Sequence, residues 1–175
     1  MKKLTARELR KHLNNKSHDE LVDDIVALFT RFDSVKDYYS LHVTGAHSDE
    51  LLNRHKAVIK DEFLPSRGYG EARLSVARKA VMDYKKASVS PAGLADLMLF
   101  YVEMGVQYTL KYGDIDEPFY NSMESMYENA LKQMKKYQIQ EQFESRCRKV
   151  VQDTEGMGWG FHDTLADIYN DYFES

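Results

Sequence analysis

Ser90-Pro91-Ala92-Gly93-Leu94-Ala95-Asp96-Leu97-Met98-Leu99-Phe100-Tyr101-Val102-Glu103-Met104-Gly105-Val106-Gln107-Tyr108-Thr109-Leu110-Lys111-Tyr112-Gly113 is the stretch whose reading decides the fold. Ser90 offers an N-cap oxygen, and Pro91 suits the first helical position, where its missing N–H would lack a partner anyway. Gly113 follows the last apolar residue, where a glycine can take the left-handed conformation that stops a helix. Between these ends apolar side chains point nearly all round. A helix over residues 91–112 is therefore expected at the centre of the fold, wrapped by others on most sides. Asp96 and Glu103 interrupt it. They stand nearly on one face, about 10 Å apart along the axis, and each needs a partner if buried.

Outward from this helix, the chain reads as helices separated by clear punctuation. Thr5 with Glu8 and Ser17 with Glu20 are two capping boxes. Leu21, Ile25, Leu28, Phe29, Phe32 and Tyr39 continue at helical spacing and predict one long amphipathic helix. Residues 42–48 read as a loop around Gly45, residues 49–63 as a helix, and Leu64 to Gly70 as a loop. A helix over about 71–87 and a link at 88–90 lead to the central helix. Beyond Gly113, Pro118 opens a helix with the stripe Phe119, Met123, Met126, Tyr127, Ala130, Met134 and Tyr137. Residues 139–154 form the next helix. Gly156-Met157-Gly158-Trp159-Gly160 is a tight turn, with Trp159 expected to be buried against a last helix striped by Phe161, Leu165, Ile168, Tyr169 and Tyr172. No segment shows sustained period-two alternation. The expected fold is all-α: a single domain over 1–175, a bundle of seven or eight mostly antiparallel helices. A superhelical stack of helix pairs is the alternative, though the tetratricopeptide pattern is absent.

The chain has 175 residues, enough for a sizeable core, and a net charge of −4, so no global field draws it to nucleic acid. The charge is uneven along the chain. Lys2, Lys3, Arg7, Arg10, Lys11 and Lys16 stand against Glu8 alone at the start. Asp153, Glu155, Asp163, Asp167, Asp171 and Glu174 stand without a Lys or Arg at the end. Such ends can attract within one fold or between subunits. Cys147 is the only cysteine, so an internal disulfide and a four-thiolate zinc site are excluded, and a cytoplasmic location is expected. No signal peptide is read at the start, and no apolar run approaches the ~20 residues of a membrane helix.

Three blocks carry a resemblance. They are Gly68 to Ala80 (Gly-Tyr-Gly-Glu-Ala-Arg-Leu-Ser-Val-Ala-Arg-Lys-Ala), Ala95 to Glu103 with Tyr112-Gly113-Asp114-Ile115-Asp116, and Gly158 to Asp167 (Gly-Trp-Gly-Phe-His-Asp-Thr-Leu-Ala-Asp). Together they resemble a bacterial family of small proteins known only as a domain of unknown function, over most of the chain. The resemblance implies a single helical domain with no established activity, and it supplies no catalytic residues.

The candidate chemistry is weak throughout. His-Glu-x-x-His and Glu-x-x-His are both missing, and the histidines sit in expected loops or polar faces, so no metal site and no cofactor are expected. Asp163, Asp167 and Asp171 share a helical face, which reads as solvated. Gly156, Gly158 and Gly160 lack the spacing and the preceding strand of a nucleotide loop. Trp159, His162 and Asp163 remain a candidate loop site. Arg67 and Tyr69 lead into a helix start with Arg73 and Arg78 downstream, a possible polar or anion site shared with Asp96 and Glu103. Arg73 falls in the apolar arc of Ala72, Val76, Ala77, Ala80 and Tyr84, so a half-buried Arg73–Glu103 pair is expected. Cys147, between Arg146 and Arg148, is expected to be a small buried residue rather than a nucleophile. The basic N-terminal hairpin loosely suggests nucleic-acid binding, but Asp19, Glu20, Asp23 and Asp24 on its second helix would repel phosphate.

The functional expectation is a non-catalytic cytoplasmic binding or protein-interaction domain. It would meet a protein partner or self-associate, a two-fold homodimer being simplest, with no membrane or nucleic-acid role. The alternative is a small-ligand or anion-binding bundle, or an enzyme, with an internal polar pocket around Arg73 and Glu103.

Overall fold

Every helix start that carries a capping signal in the sequence forms in the computed structural model, which describes residues 4–44, 48–87 and 90–174. The contacts divide the chain into two units, Met1–Gly45 and Ala46–Ser175. The single domain over 1–175 remains an expectation beside this division.

The first unit holds α1 (Ala6–Leu13), α2 (His18–Arg31) and α3 (Asp33–Thr44). Thr5 and Ser17 cap the first two as expected: each side-chain oxygen accepts from the backbone three residues on, and Glu8 and Glu20 reach back to the cap N–H. The ammonium of Lys16 bonds the Asp24 carboxylate. The single long helix expected here is two. At Phe32 the backbone turns to φ −126°, ψ 117°, which ends α2, and Asp33 opens α3. The apolar stripe runs on across the break, so periodicity alone does not reveal it. No residue of α1 or α2 is buried.

The second unit holds α4 (Ser48–Phe63), α5 (Leu74–Ala87), α6 (Pro91–Tyr112), α7 (Glu117–Tyr137), a 3-10 turn (Gln140–Gln142), α8 (Glu144–Asp153) and α9 (Phe161–Phe173). The described residues thus form nine α-helices and no strand. Parts of the expected 42–48 loop and 88–90 link, residues 45–47 and 88–89, lie outside the described residues. The expected helix at 71–87 begins only at Leu74, because Ala72 takes φ +48° and breaks the helical path.

α6 is central as expected. Ser90 Oγ accepts from Gly93 N at 3.0 Å, and Gly113 closes the helix at φ 90°, ψ −174°. That region is glycine's own and differs from the left-handed stop expected. α6 packs on α4, α5, α7 and α8. A stack of helix pairs would give each repeat only its neighbours, so this unit is a bundle. Leu97, Leu99, Tyr101 and Val102 of α6 lose all contact with water, as do Phe63, Met123, Tyr127, Leu131 and Phe161 around it. The buried hydroxyls are matched. Tyr101 shares a 2.7 Å hydrogen bond with Ser122 Oγ, and Tyr127 donates to the Cys147 carbonyl at 3.0 Å. Gly70 is required by close approach, since a Cβ there would lie 2.0 Å from the Phe63 carbonyl oxygen.

Trp159 corrects an expectation. It is 58% exposed, and it and Gly160 take successive left-handed conformations, φ 61° and 68°. That double turn aims Phe161 inward instead, where its ring lies 4.7 Å from Tyr120. Gly158 allows the approach, as a Cβ would lie 2.5 Å from Asp114 Oδ2. Trp159→Ala is accordingly expected to cost under ~1 kcal/mol in chemical denaturation, far below the ~3–5 of a buried aromatic. The native protein's tryptophan emission is expected at the wavelength of a water-exposed indole.

Candidate functional site

Two helical arcs carry charged residues where apolar ones belong. On α4, Lys56 falls within the arc of Leu52, Ile59 and Phe63. On α8, Arg146 borders the arc of Phe143, Cys147 and Val150, all buried. Both side chains meet the carboxylates that interrupt α6. Arg146 Nη1 donates to Asp96 Oδ1 at 2.6 Å, and its Nε and Nη2 donate to the two Glu103 oxygens, each at 2.8 Å. Lys56 Nζ donates to Asp96 Oδ2 at 2.7 Å. One guanidinium thus spans both carboxylates, and Asp96 joins α4 to α8 across α6. The Phe143 ring lies 5.9 Å from Arg146 Cζ and the Phe100 ring 5.2 Å from Lys56 Nζ, so each cation also faces an aromatic. Burial works against the Arg146 charge, but the hydrogen bonds of Glu103 and then Asp96 outweigh it and hold its pKa above the usual arginine value.

Arg146 also lines two hollows. One, of about 220 Å³, lies between α6 and α8 and includes Glu103, Met104, Gln107, Val150 and Asp153. The other, of about 270 Å³, includes Asp49, Leu52, Tyr84, Gly93, Asp96 and Phe143. Arg146 is the residue common to both linings.

The structure separates the candidate residues that the sequence grouped. Arg73 corrects the expected pairing: it precedes α5 and folds back onto α4. Its Nε and Nη2 donate to Glu62 at 3.0 and 2.7 Å, and its backbone N–H donates to the same carboxylate at 3.2 Å. Arg73 is 57% exposed and Glu62 only 7%. The arc argument failed because it assumed a helical path through Ala72 and Arg73. Hydrogen bonds from Arg73 hold the Glu62 carboxyl below the usual range against the opposing effect of burial. Arg78 donates to Ser122 Oγ at 2.8 Å beside Tyr101. Arg67 is exposed, and Tyr69 lies against Tyr112, ring centroids 5.3 Å apart. Asp96 and Glu103 alone of the six share a cluster, with Arg146 and Lys56 as the cations that sequence reasoning missed. The helical arcs of α4 and α8 contained the signal for both.

The loop candidates are also apart in role. His162 Nδ1 lies 3.2 Å from the Val151 carbonyl and 3.1 Å from Thr154 Oγ1, capping the end of α8, whereas Asp163 is exposed. Cys147 is fully buried and its thiol is pushed up to about 12 by desolvation, which suits a packing residue. Among the described residues, no three His, Cys, Asp or Glu side chains gather as a metal set, and no helix is long and apolar enough to cross a membrane.

The first unit presents a different surface. Val22, Ile25, Val26, Leu28, Phe29 and Phe32 are all exposed, Val26 by 55% and Phe32 by 52%. Leu21, Ile25, Leu28 and Phe32 lie within roughly 60° of one another around α2, with Phe29 and Val22 beside them. This is an apolar helix face none of whose residues is buried.

The profile described as Family of unknown function (DUF6155) matches residues 4–174. No curated protein and no solved structure matches the chain.

Arg146→Met leaves Glu103 without its cation. With the Arg146 side chain 35% exposed, the cost should fall between that of exposed and buried pairs, about 1–3 kcal/mol in urea denaturation, and adding Glu103→Gln should recover part of it. For Glu62 the folded pKa is depressed, so the unfolded chain binds the proton first. Its contribution is complete above the unfolded pKa and is lost as pH falls through the folded one. Glu62→Gln is expected to lower stability at neutral pH, and the gap to wild type should close in acid.

Proposed function

The chain belongs to that family of unknown function, and we propose that it is a non-catalytic protein-interaction protein whose N-terminal helices present the contact surface. The observation that carries this reading is the contrast between the two units. The second satisfies its core internally, whereas α2 carries an amphipathic stripe of six large apolar residues and buries none of them. Contiguous exposed apolar surface rimmed by charge is the usual mark of a docking face. The second unit's buried hydroxyls and the Lys56–Asp96–Arg146–Glu103 cluster are matched within the protein, which suits a scaffold. We place the protein in bacteria, as the resemblance implies, and in the cytoplasm, where its single cysteine fits a reducing compartment. The four carboxylates Asp19, Glu20, Asp23 and Asp24 on α2 weigh against nucleic acid as the partner.

One observation favours a second reading, a small-ligand site: both hollows share Arg146 as a wall. A ligand anion there has to displace Asp96 or Glu103 from a guanidinium already bonded to both.

Ile25→Lys with Phe29→Lys tests the contact surface. In protein dilute enough to exclude association, the pair is expected to leave cooperative unfolding within about 0.5 kcal/mol of wild type, as surface changes do, and to abolish uptake of an apolar dye. A loss of several kcal/mol would place this face in the core and overturn the reading.

A further inference from the structure

We propose that the partner on α2 is a second copy of this chain, seated antiparallel across a two-fold axis so that the two α2 faces cover each other. This rests on the interaction reading above and names its occupant.

Three observations carry it. The first is the smallness of the unit: Met1–Gly45 is its own compact group of contacts, and neither α1 nor α2 buries a residue. Units near 40 residues generally need a disulfide, a metal or association to hold a core. The only cysteine, Cys147, lies outside this unit, and no metal set gathers among the described residues. Association would supply that support.

The second is the distribution of charge along α2. All its acids, Asp19, Glu20, Asp23 and Asp24, lie in the first half, and its one Lys or Arg, Arg31, in the last turn. Parallel pairing would set acids against acids. Antiparallel pairing sets each acidic half against the other copy's basic end.

The third is the side of the stripe on which these charges fall. At 3.6 residues per turn, Glu20, Asp24 and Arg31 lie within roughly 40° of one another, all on the same flank of the Leu21–Ile25–Leu28–Phe32 stripe. In an antiparallel helix pair, like flanks face each other. Leu21 then meets Phe32 of the second copy, Ile25 meets its Leu28, and Arg31 comes beside its Glu20 and Asp24. Arg31 has no ion-pair partner among the described residues, so the dimer supplies one. The half-exposed apolar side chains of α2 and its neighbours offer on the order of 400 Å² per copy, near the apolar share of the roughly 800 Å² per partner of a stable interface.

The test is sedimentation equilibrium of the full chain across the micromolar range, with cysteine cross-linking. Wild type is expected to dimerise, Ile25→Glu to stay monomeric, and Arg31→Glu to weaken the dimer on the order of tenfold. Asp24→Arg added to Arg31→Glu is expected to recover most of that loss. Ile25→Cys mixed with Leu28→Cys, mild changes that do not depend on tolerating a charge, is expected to form a mixed disulfide dimer under gentle oxidation. Thr30→Cys, on the opposite side of α2, is not, and the buried Cys147 gives no background. A dimer unmoved by Ile25→Glu, or equal cross-linking from the Ile25→Cys and Leu28→Cys mixture and from Thr30→Cys, overturns the proposal. So does a monomer at every concentration. If that monomer takes up an apolar dye through α2, with uptake lost in Ile25→Glu, the occupant is a different protein and the interaction reading stands. A monomer that takes up no dye overturns both.

Discussion

A helix apolar nearly all round has to be covered on most sides, and α6 imposes that demand on the second unit. Four helices meet it, α4, α5, α7 and α8, and their side chains close over Leu97, Leu99, Tyr101 and Val102. The same helix carries Asp96 and Glu103. An ionised carboxylate at such a position is tolerable only if cations and donors come to it. Arg146 and Lys56 supply them, from helices that pack on α6 from α8 and α4. Apolar burial sets how many helices surround α6. The charged cluster then limits the register in which α4 and α8 can do so, because a slip of either would part a cation from its carboxylate.

The connection between α4 and α5 is held by a second, local pairing. Glu62 is buried at the end of α4, and its carboxylate takes three donors from Arg73, two from the guanidinium and one from the backbone. The Ala72 N–H returns to the Glu62 carbonyl at 2.8 Å, and Gly70 passes within a distance of Phe63 that leaves no room for a side chain. Tyr108 donates to the Gly70 carbonyl at 3.2 Å, which ties this loop to the central helix as well. A non-glycine residue at φ +48° is a strained backbone choice, and this density of bonds is what offsets it at Ala72.

The first unit differs in kind. Its helices are well specified locally, by two capping boxes and a Lys16–Asp24 pair, yet their apolar side chains remain open. Strong local signals with no tertiary burial describe elements that are preorganised before they meet a partner. Such preorganisation lowers the ordering cost of association. Under the proposed reading it also separates roles along the chain: the second unit supplies the stability, and the first supplies the surface.

Local chemistry determined the helix ends from sequence alone: Thr5, Ser17 and Ser90 as caps, Pro91 as a start, Gly113 as a stop. Those signals act over three or four residues and need no neighbour. Periodicity likewise determined that α6 is central and that Asp96 and Glu103 share a face. Tertiary structure decided everything that depends on which helix lies beside which. The partner of Glu103 is Arg146, forty-three residues away, and Arg73 turns to Glu62 because the chain leaves its helical path at Ala72. Trp159 faces water because two left-handed residues aim Phe161 inward in its place. The break at Phe32 hides within an unbroken stripe. Side-chain spacing reports which face a residue occupies, but a single backbone dihedral outside the helical region redirects everything after it, and only the packed chain shows where that occurs.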